Sequence, residues 1–184
     1  MSVETRNRIL IVDDEKVNIS ILVELLKDRY DTVVAKNGEQ ALRRVLEHKP
    51  DLILLDIVMP GMDGYQVCKT LKNNPDTADI PVVFITAKDS ETDEEEGLNV
   101  GAIDYVTKPF SSAIIRARVY NHLELKRRGD LLKVLSSLDP LTGIANRRRL
   151  DEFLTLQWQQ LQRSGGMLAV LMLDIDYFKA FNDH

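Results

Sequence analysis

The sequence has few of the features that mark secreted, membrane and nucleic-acid-binding proteins. Its single cysteine, Cys68, cannot form an internal disulfide, which fits a reducing cytoplasm. No apolar run approaches the ~20 residues that a membrane helix needs, and the opening stretch MSVETRNR has no apolar signal core. The net charge of −5 gives no basic footprint for nucleic acid. We therefore expect a cytoplasmic protein that binds neither a membrane nor nucleic acid.

The first two thirds of the chain alternate between aliphatic runs and segments with helical spacing of apolar residues. Five runs have the character of strands and cover residues 9–12, 30–35, 52–55, 81–86 and 102–106. The segments between them, including a charged one at 90–100, have the periodicity of helices. This alternation predicts βαβ units and a doubly wound α/β fold, with a parallel sheet of order 2-1-3-4-5.

Polar residues stand at the carboxyl ends of these runs, where an open parallel sheet places its ligand sites. Asp13 and Asp14 follow the first run, and Asp56 follows the third. Thr86 ends the fourth run, and Lys108 follows the fifth. In the order 2-1-3-4-5 the first and third strands are neighbours, so the three aspartates share one pocket.

Three aspartates in one pocket repel each other, and a divalent cation relieves that repulsion. All-oxygen ligands favour Mg²⁺, which accepts one or two carboxylates together with a phosphate. With the positive charge of Lys108 and the hydroxyl of Thr86, the set meets the needs of phosphoryl transfer. Asp56, alone at a central strand, suits the nucleophile that forms an aspartyl-phosphate. Asp13 and Asp14 suit metal binding.

Helix capping is the simpler explanation for a single aspartate at a strand end. Asp14 could cap a helix that starts near Lys16. Capping does not explain why acids, a threonine and a lysine stand at the ends of four different strands.

Four stretches together resemble the receiver domain of bacterial two-component response regulators. They are ILIVDDE (9–15), LLDIVMPGMDG (54–64), VFITA (83–87) and DYVTKPF (104–110). The resemblance covers roughly residues 7–125 and implies a flavodoxin-like fold. It implies that Asp56 accepts a phosphoryl group from a cognate histidine kinase or phosphotransfer protein.

The resemblance also implies roles for the other site residues. Mg²⁺ would bind Asp13, Asp56 and the backbone carbonyl of Val58, with Asp14 as a close or water-mediated ligand. Thr86 and Lys108 would contact the phosphoryl group. Tyr105 matches the aromatic switch position that turns inward with Thr86, and the Lys108–Pro109 bond would be cis.

The region after the fifth run predicts a helical stalk, because no proline occurs from Ser111 to Asp139. We expect either one long helix or two helices that are separated by a flexible position at Gly129. We expect Ile114 and Ile115 to cover the sheet. Further along, the spacing of Leu131, Leu135 and Leu138 predicts a coiled-coil seam for a parallel homodimer.

The last segment, 139–184, predicts a helix, a turn at Gly165-Gly166 and a strand at 167–173 that ends on Asp174. Acids at the end of a buried-type strand again favour a site for metal and phosphate. Two stretches, DPLTGIANRR (139–148) and DIDYFKAFNDH (174–184), resemble the start of diguanylate cyclase catalytic domains.

This second resemblance implies that Asp174 and the carbonyl of Ile175 bind Mg²⁺. Lys179 would contact phosphate, and Asn182 the guanine of GTP. The family signature Gly-Gly-Asp/Glu-Glu-Phe does not occur in the sequence. We expect this chain to be inactive as a cyclase and its full-length parent to make cyclic di-GMP.

Together these patterns predict a phosphorylation-dependent response regulator that dimerises through its receiver face and stalk and controls a diguanylate cyclase output. The expected divisions are a receiver at 1–125, a helical linker at 126–138 and a truncated cyclase domain at 139–184. A receiver that acts only as an interaction module is one alternative. Another is a metal-dependent phosphatase, which would need a general acid at the position that Val58 occupies.

Overall fold

The computed structural model describes residues 6–87, 99–135, 139, 142–174 and 176–177 of the 184-residue chain. Contacts between residues divide the chain into two compact units, Met1–Gly129 and Asp130–His184. The helix predicted at 90–100 lies outside the described residues except for its last two positions. Within the described part, no helix has both the length and the apolar content of a membrane span.

The first unit is built on a five-stranded parallel sheet in the order β2-β1-β3-β4-β5, as predicted. Its strands are β1 (Arg8–Val12), β2 (Asp31–Ala35), β3 (Leu52–Leu55), β4 (Val82–Thr86) and β5 (Asp104–Thr107). Its helices are α1 (Lys16–Leu26), α2 (Gly38–His48), α3 (Gly64–Lys72) and the part of α4 (Ser112–Leu135) that ends at Gly129. The flavodoxin-like, doubly wound fold is therefore confirmed.

Helices cover both faces of the sheet, which explains why its central strands are continuously aliphatic. Alternate residues of each strand point to opposite faces. Leu10, Ile53 and Phe84 pack with residues of α2 and α3 on one face. The other face packs with α1 and α4 through Ile9, Ile11, Leu52, Leu54, Val83 and Ile85. With both faces closed by apolar side chains, polar groups are confined to the strand ends.

Helix α4 runs without a break through Gly129, so the stalk region is one helix as far as Leu135. Its buried stripe repeats every four residues, at Ile115, Val119 and Leu123. The prediction that Ile114 covers the sheet was wrong, because that side chain is 49% exposed. Adjacent helix positions point about 100° apart, so Ile114 cannot share the stripe of Ile115.

The predicted leucine seam is only partly within the described structure. Leu131 is half exposed on α4. Leu138 lies outside the described residues, and the helix ends at Leu135.

The second unit contains α5 (Arg147–Ser164), which confirms the predicted helix. The side chain of Asn146 caps its start by accepting from the Arg149 N–H, and Gly165 ends it with a φ of 71°. The predicted strand at 167–173 is wrong, because residues 167–174 form no strand and are exposed. A strand needs a partner ladder for its backbone groups, and no described residue pairs with this segment.

Candidate functional site

Strand pairing extends one residue beyond β1 and β3 and thereby brings two aspartates together. The Asp56 N–H donates to the Val12 carbonyl at 2.8 Å, and the Asp13 N–H donates to the Ala35 carbonyl at 3.2 Å. Because β1 and β3 are neighbours, their first residues beyond the ladder face the same pocket. The apolar strands thus determine where the acids lie.

The three predicted aspartates do share one site. Carboxylate oxygens of Asp13, Asp14 and Asp56 lie within 4.8 Å of one another, and no other such cluster occurs among the described residues. Asp13 and Asp56 are buried, whereas Asp14 is exposed at the rim. This set of hard oxygen donors with one side open to water fits Mg²⁺, which keeps several of its waters.

Asp14 does not cap the first helix. The N-cap residue of α1 is Glu15, and no side chain makes a cap hydrogen bond there. The carboxylate of Asp14 is therefore available to the acidic cluster.

The ammonium of Lys108 lies between two carboxylates, 2.7 Å from Asp13 Oδ2 and 2.7 Å from Asp56 Oδ2. Burial raises the pKa of Asp56 and the charge of Asp13 adds to this effect, while the Lys108 ammonium opposes it. Burial alone would lower the pKa of Lys108, but its bonds to the two carboxylates raise that pKa overall. Lys108 therefore stays protonated and offsets part of the negative charge of the three aspartates.

Asn18 is a site residue that was not predicted from the sequence. Its Nδ2 donates to Asp13 Oδ1 at 3.0 Å and to Asp13 Oδ2 at 3.1 Å. The Glu15 N–H also donates to Asp13 Oδ1, at 2.9 Å. A signal was present, because asparagine favours helix caps, and Asn18 stands three residues beyond the N-cap of α1.

Close packing at Gly64 fixes the loop that carries Asp56. A Cβ added at Gly64 would lie 2.3 Å from the Asp56 carbonyl oxygen and 2.8 Å from the Ile57 Cα. A capping box between Asp63 and Gln66 holds the start of α3 at this point. The loop between β3 and α3 is therefore pinned at both ends.

Val58 stands at the mouth of the site with 56% of its surface exposed. Its N–H donates to Asp56 Oδ1 at 3.3 Å. This position holds an apolar side chain instead of the general acid that a phosphatase would use.

Thr86 and Tyr105 lie on the last two strands, as predicted. Thr86 is fully buried at the end of β4, and Tyr105 is 8% exposed. The Tyr105 ring packs edge-on against Phe84, with centroids 6.4 Å apart. The aromatic ring therefore points inward. The Lys108 N–H donates to the Thr86 carbonyl at 2.8 Å, and the Lys108–Pro109 bond is cis, as expected.

Most residues of the second predicted metal site lie outside the described part of the chain. Asp174 is exposed and belongs to no acidic cluster among the residues that the structure describes. Ile175, Lys179 and Asn182 lie outside those residues.

Two family models match the chain. The response regulator receiver domain matches residues 9–120, and the diguanylate cyclase GGDEF domain matches residues 136–184. A Vibrio cholerae serotype O1 protein named "Probable cyclic di-GMP phosphodiesterase" is 45% identical over 67% of this chain and 28% of its own length. Response regulator PleD of Caulobacter vibrioides is 46% identical over 61% of this chain and 25% of its own length. The chain thus spans about a quarter of these relatives.

A solved structure agrees with the fold. The BeF3-activated N-terminal receiver domain of Klebsiella pneumoniae RstA has a TM-score of 0.58 and 34% identity, covering 64% of this chain and 98% of that one. The sheet order, the acidic cluster and the family match all indicate that the first unit is a receiver domain. The chain belongs to the response regulator receiver domain family, with a receiver domain at residues 9–120 followed by a partial GGDEF domain at 136–184.

Proposed function

We propose that the receiver domain is a Mg²⁺-dependent phosphoacceptor whose nucleophile is Asp56. The observation that carries the proposal is the contact of the Lys108 ammonium with both Asp13 and Asp56, at 2.7 Å each. That contact places a fixed cation beside the nucleophile and beside a second carboxylate that can hold a metal. Phosphoryl transfer needs this combination.

In the proposed reaction, a carboxylate oxygen of Asp56 attacks phosphorus while the bond from phosphorus to the donor's leaving group breaks. Lys108 offsets the negative charge on the phosphoryl oxygens, and Thr86 supplies a hydroxyl donor. Asp13, Asp14 and the carbonyl of Val58, together with Asp56, would hold Mg²⁺. Bound there, the ion would neutralise charge on the transferring group. The donor is a cognate histidine kinase or phosphotransfer protein.

Burial favours Asp56 over the exposed Asp14 as the nucleophile. Asp56 is 5% exposed, and burial raises its pKa. A carboxylate with few water partners is a stronger nucleophile than a solvated one. Asp14, at the exposed rim, lacks this advantage and suits a water-mediated metal contact.

In this proposal, phosphorylation at the site changes the conformation at the β4–β5 edge of the sheet. Thr86 and Tyr105 lie on β4 and β5, so phosphorylation would shift an existing conformational balance there. The half-exposed Leu131 on α4 supports a dimer in which receiver face and stalk both take part. We retain the divisions 1–125, 126–138 and 139–184 as part of this proposal.

The proposed output is the control of diguanylate cyclase activity in the full-length parent, which would convert GTP to cyclic di-GMP. The match of residues 136–184 to the GGDEF domain supports it. Asp174, Ile175, Lys179 and Asn182 would then bind Mg²⁺ and GTP. The catalytic signature is not in this sequence, so this chain by itself should be inactive as a cyclase.

Acetyl phosphate labelling of the intact chain tests the phosphoacceptor role. With MgCl₂ we expect intact mass spectrometry to detect one added phosphoryl group, and none with EDTA or in Asp56→Asn. Absence of label under all conditions would favour a receiver that acts only as an interaction module. Steady turnover of a generic phosphomonoester would favour the phosphatase instead.

A further inference from the structure

The carboxylate of Asp13 has no acceptor capacity left. Its Oδ1 accepts from the Glu15 N–H at 2.9 Å and from Asn18 Nδ2 at 3.0 Å. Its Oδ2 accepts from Lys108 Nζ at 2.7 Å and from the same Asn18 Nδ2 at 3.1 Å. Two carboxylate oxygens offer about four lone-pair sites. A metal ion that binds Asp13 must therefore displace a donor.

Asn18 is the donor that gives way most easily. The Lys108 contact is the shortest and carries a charge, and charged hydrogen bonds are roughly twice as strong as neutral ones. The Glu15 donor is a backbone N–H and is held by the start of α1. The Asn18 amide is neutral, sits on a rotatable side chain and makes the two longest contacts.

A second acceptor for the Asn18 amide is already in place. Its Nδ2 lies 3.3 Å from Glu15 Oε2, at the exposed surface. The amide can therefore leave Asp13 and keep a charged partner. Because of this, displacement does not leave a polar group without a hydrogen bond, which would be costly.

We propose that Asn18 is a placeholder for the metal ion, holding both oxygens of Asp13 in the metal-free protein and turning to Glu15 when Mg²⁺ binds. This rests on the proposed function, because it requires Mg²⁺ at Asp13. Asn18 then has two opposite effects. It holds Asp13 in place when no metal is bound, and it lowers the affinity of the site for the cation.

Calorimetric titration of the full chain with MgCl₂ tests this inference, using the nearly isosteric variant Asn18→Leu. Without the competing amide, we expect Mg²⁺ to bind about fivefold more tightly, the worth of one modest hydrogen bond. The midpoint of thermal unfolding in EDTA should fall, because Asp13 loses a donor. A purely structural role would lower that midpoint without tightening Mg²⁺ binding.

Ser20→Ala is the matched control on the same helix. The exposed Ser20 hydroxyl donates to the Lys16 carbonyl at 2.8 Å, away from the acidic cluster. Its Mg²⁺ affinity should equal that of the wild type. Asn18→Ala, which favours the helix, should reproduce the tighter binding if Asn18→Leu folds poorly.

The outcomes separate this inference from the proposed function. Unchanged or weaker Mg²⁺ binding in both Asn18 variants, with normal binding in the wild type, overturns the placeholder role alone. If Mg²⁺ gives the wild type neither a heat of binding nor a higher midpoint of thermal unfolding, both proposals are overturned.

Discussion

At the scale of single residues, Lys108 compensates two buried carboxylates that would otherwise repel each other. The side chains of Lys108, Asp13 and Asp56 are 17%, 2% and 7% exposed. Charges this far removed from water interact strongly, but each also loses hydration. The site therefore depends on a cation being present, whether the lysine alone or the lysine together with a metal.

Replacing Lys108 with methionine should destabilise the metal-free protein by about 3 kcal/mol, the typical cost of removing one partner of a buried ion pair. Added MgCl₂ should restore part of the loss, since a metal can take over the balancing charge. Urea unfolding in EDTA and in MgCl₂ measures both effects. Equal stability of variant and wild type in EDTA would contradict this view of the site.

The raised pKa of Asp56 predicts a pH dependence. Between its ordinary value of 3.8 and the raised value, the folded protein binds more protons at this group than the unfolded chain does. The contribution of Asp56 to stability therefore falls as pH rises through that window. Asp56→Asn removes this cost, so in EDTA it should be the more stable protein near neutral pH.

Thermal unfolding midpoints of wild type and Asp56→Asn across pH check this prediction. The difference should shrink as pH falls through the window and the wild-type carboxyl takes up its proton. A variant less stable than the wild type at neutral pH in EDTA would show that the ion pair outweighs burial.

At the scale of elements, a glycine packed against the site, at the start of α3, differs from a glycine in the open part of a helix. Gly64→Ala should cost about 1–3 kcal/mol, as overpacking does, because the new Cβ meets the backbone of Asp56 and Ile57. It should also slow acetyl phosphate labelling, because Asp56 must shift. Urea unfolding and a labelling time course measure the two effects.

Gly129→Ala is the matched helix substitution, because a Cβ there meets nothing within 4 Å. It should stabilise α4 by about 0.5–1 kcal/mol through helix propensity. Labelling should be unchanged. If Gly64→Ala is as harmless as Gly129→Ala, the close contact at Asp56 is not a constraint.

The sequence correctly predicted those helices and strands whose hydrophobic pattern is sufficient to determine their structure. The aliphatic runs became strands, and their order brought Asp13, Asp56 and Lys108 together. The strand at 167–173 was predicted in error, because strand formation depends on a partner ladder that apolar content does not reveal. Asn18 was missed because hydrophobic periodicity does not reveal a hydrogen bond from the first turn of α1 to Asp13, which precedes the helix.

At the scale of the whole molecule, the chain joins a receiver to the beginning of an output domain. The receiver model and the GGDEF model match consecutive regions, 9–120 and 136–184. Helix α4 ends at Leu135, next to the start of the second match. The last residues of α4 therefore lie between the two matched regions in sequence.

Activation should change the oligomeric state. With MgCl₂ and beryllofluoride, which mimics the phosphoryl group, we expect the chain to shift from monomer toward dimer in light scattering coupled to size exclusion. Leu131→Glu, which puts a charge on the exposed stalk surface, should weaken that dimer. A dimer unaffected by Leu131→Glu would exclude the stalk from the interface.

Mapping the phosphorylated residue tests the central claim most directly. Acetyl phosphate treatment followed by borohydride reduction converts an aspartyl-phosphate to homoserine, which peptide mass spectrometry can locate. We predict homoserine at position 56 after treatment in MgCl₂, and an unmodified Asp56 after treatment in EDTA. Modification at another aspartate, or at Asp56 equally well without a divalent cation, would contradict the account.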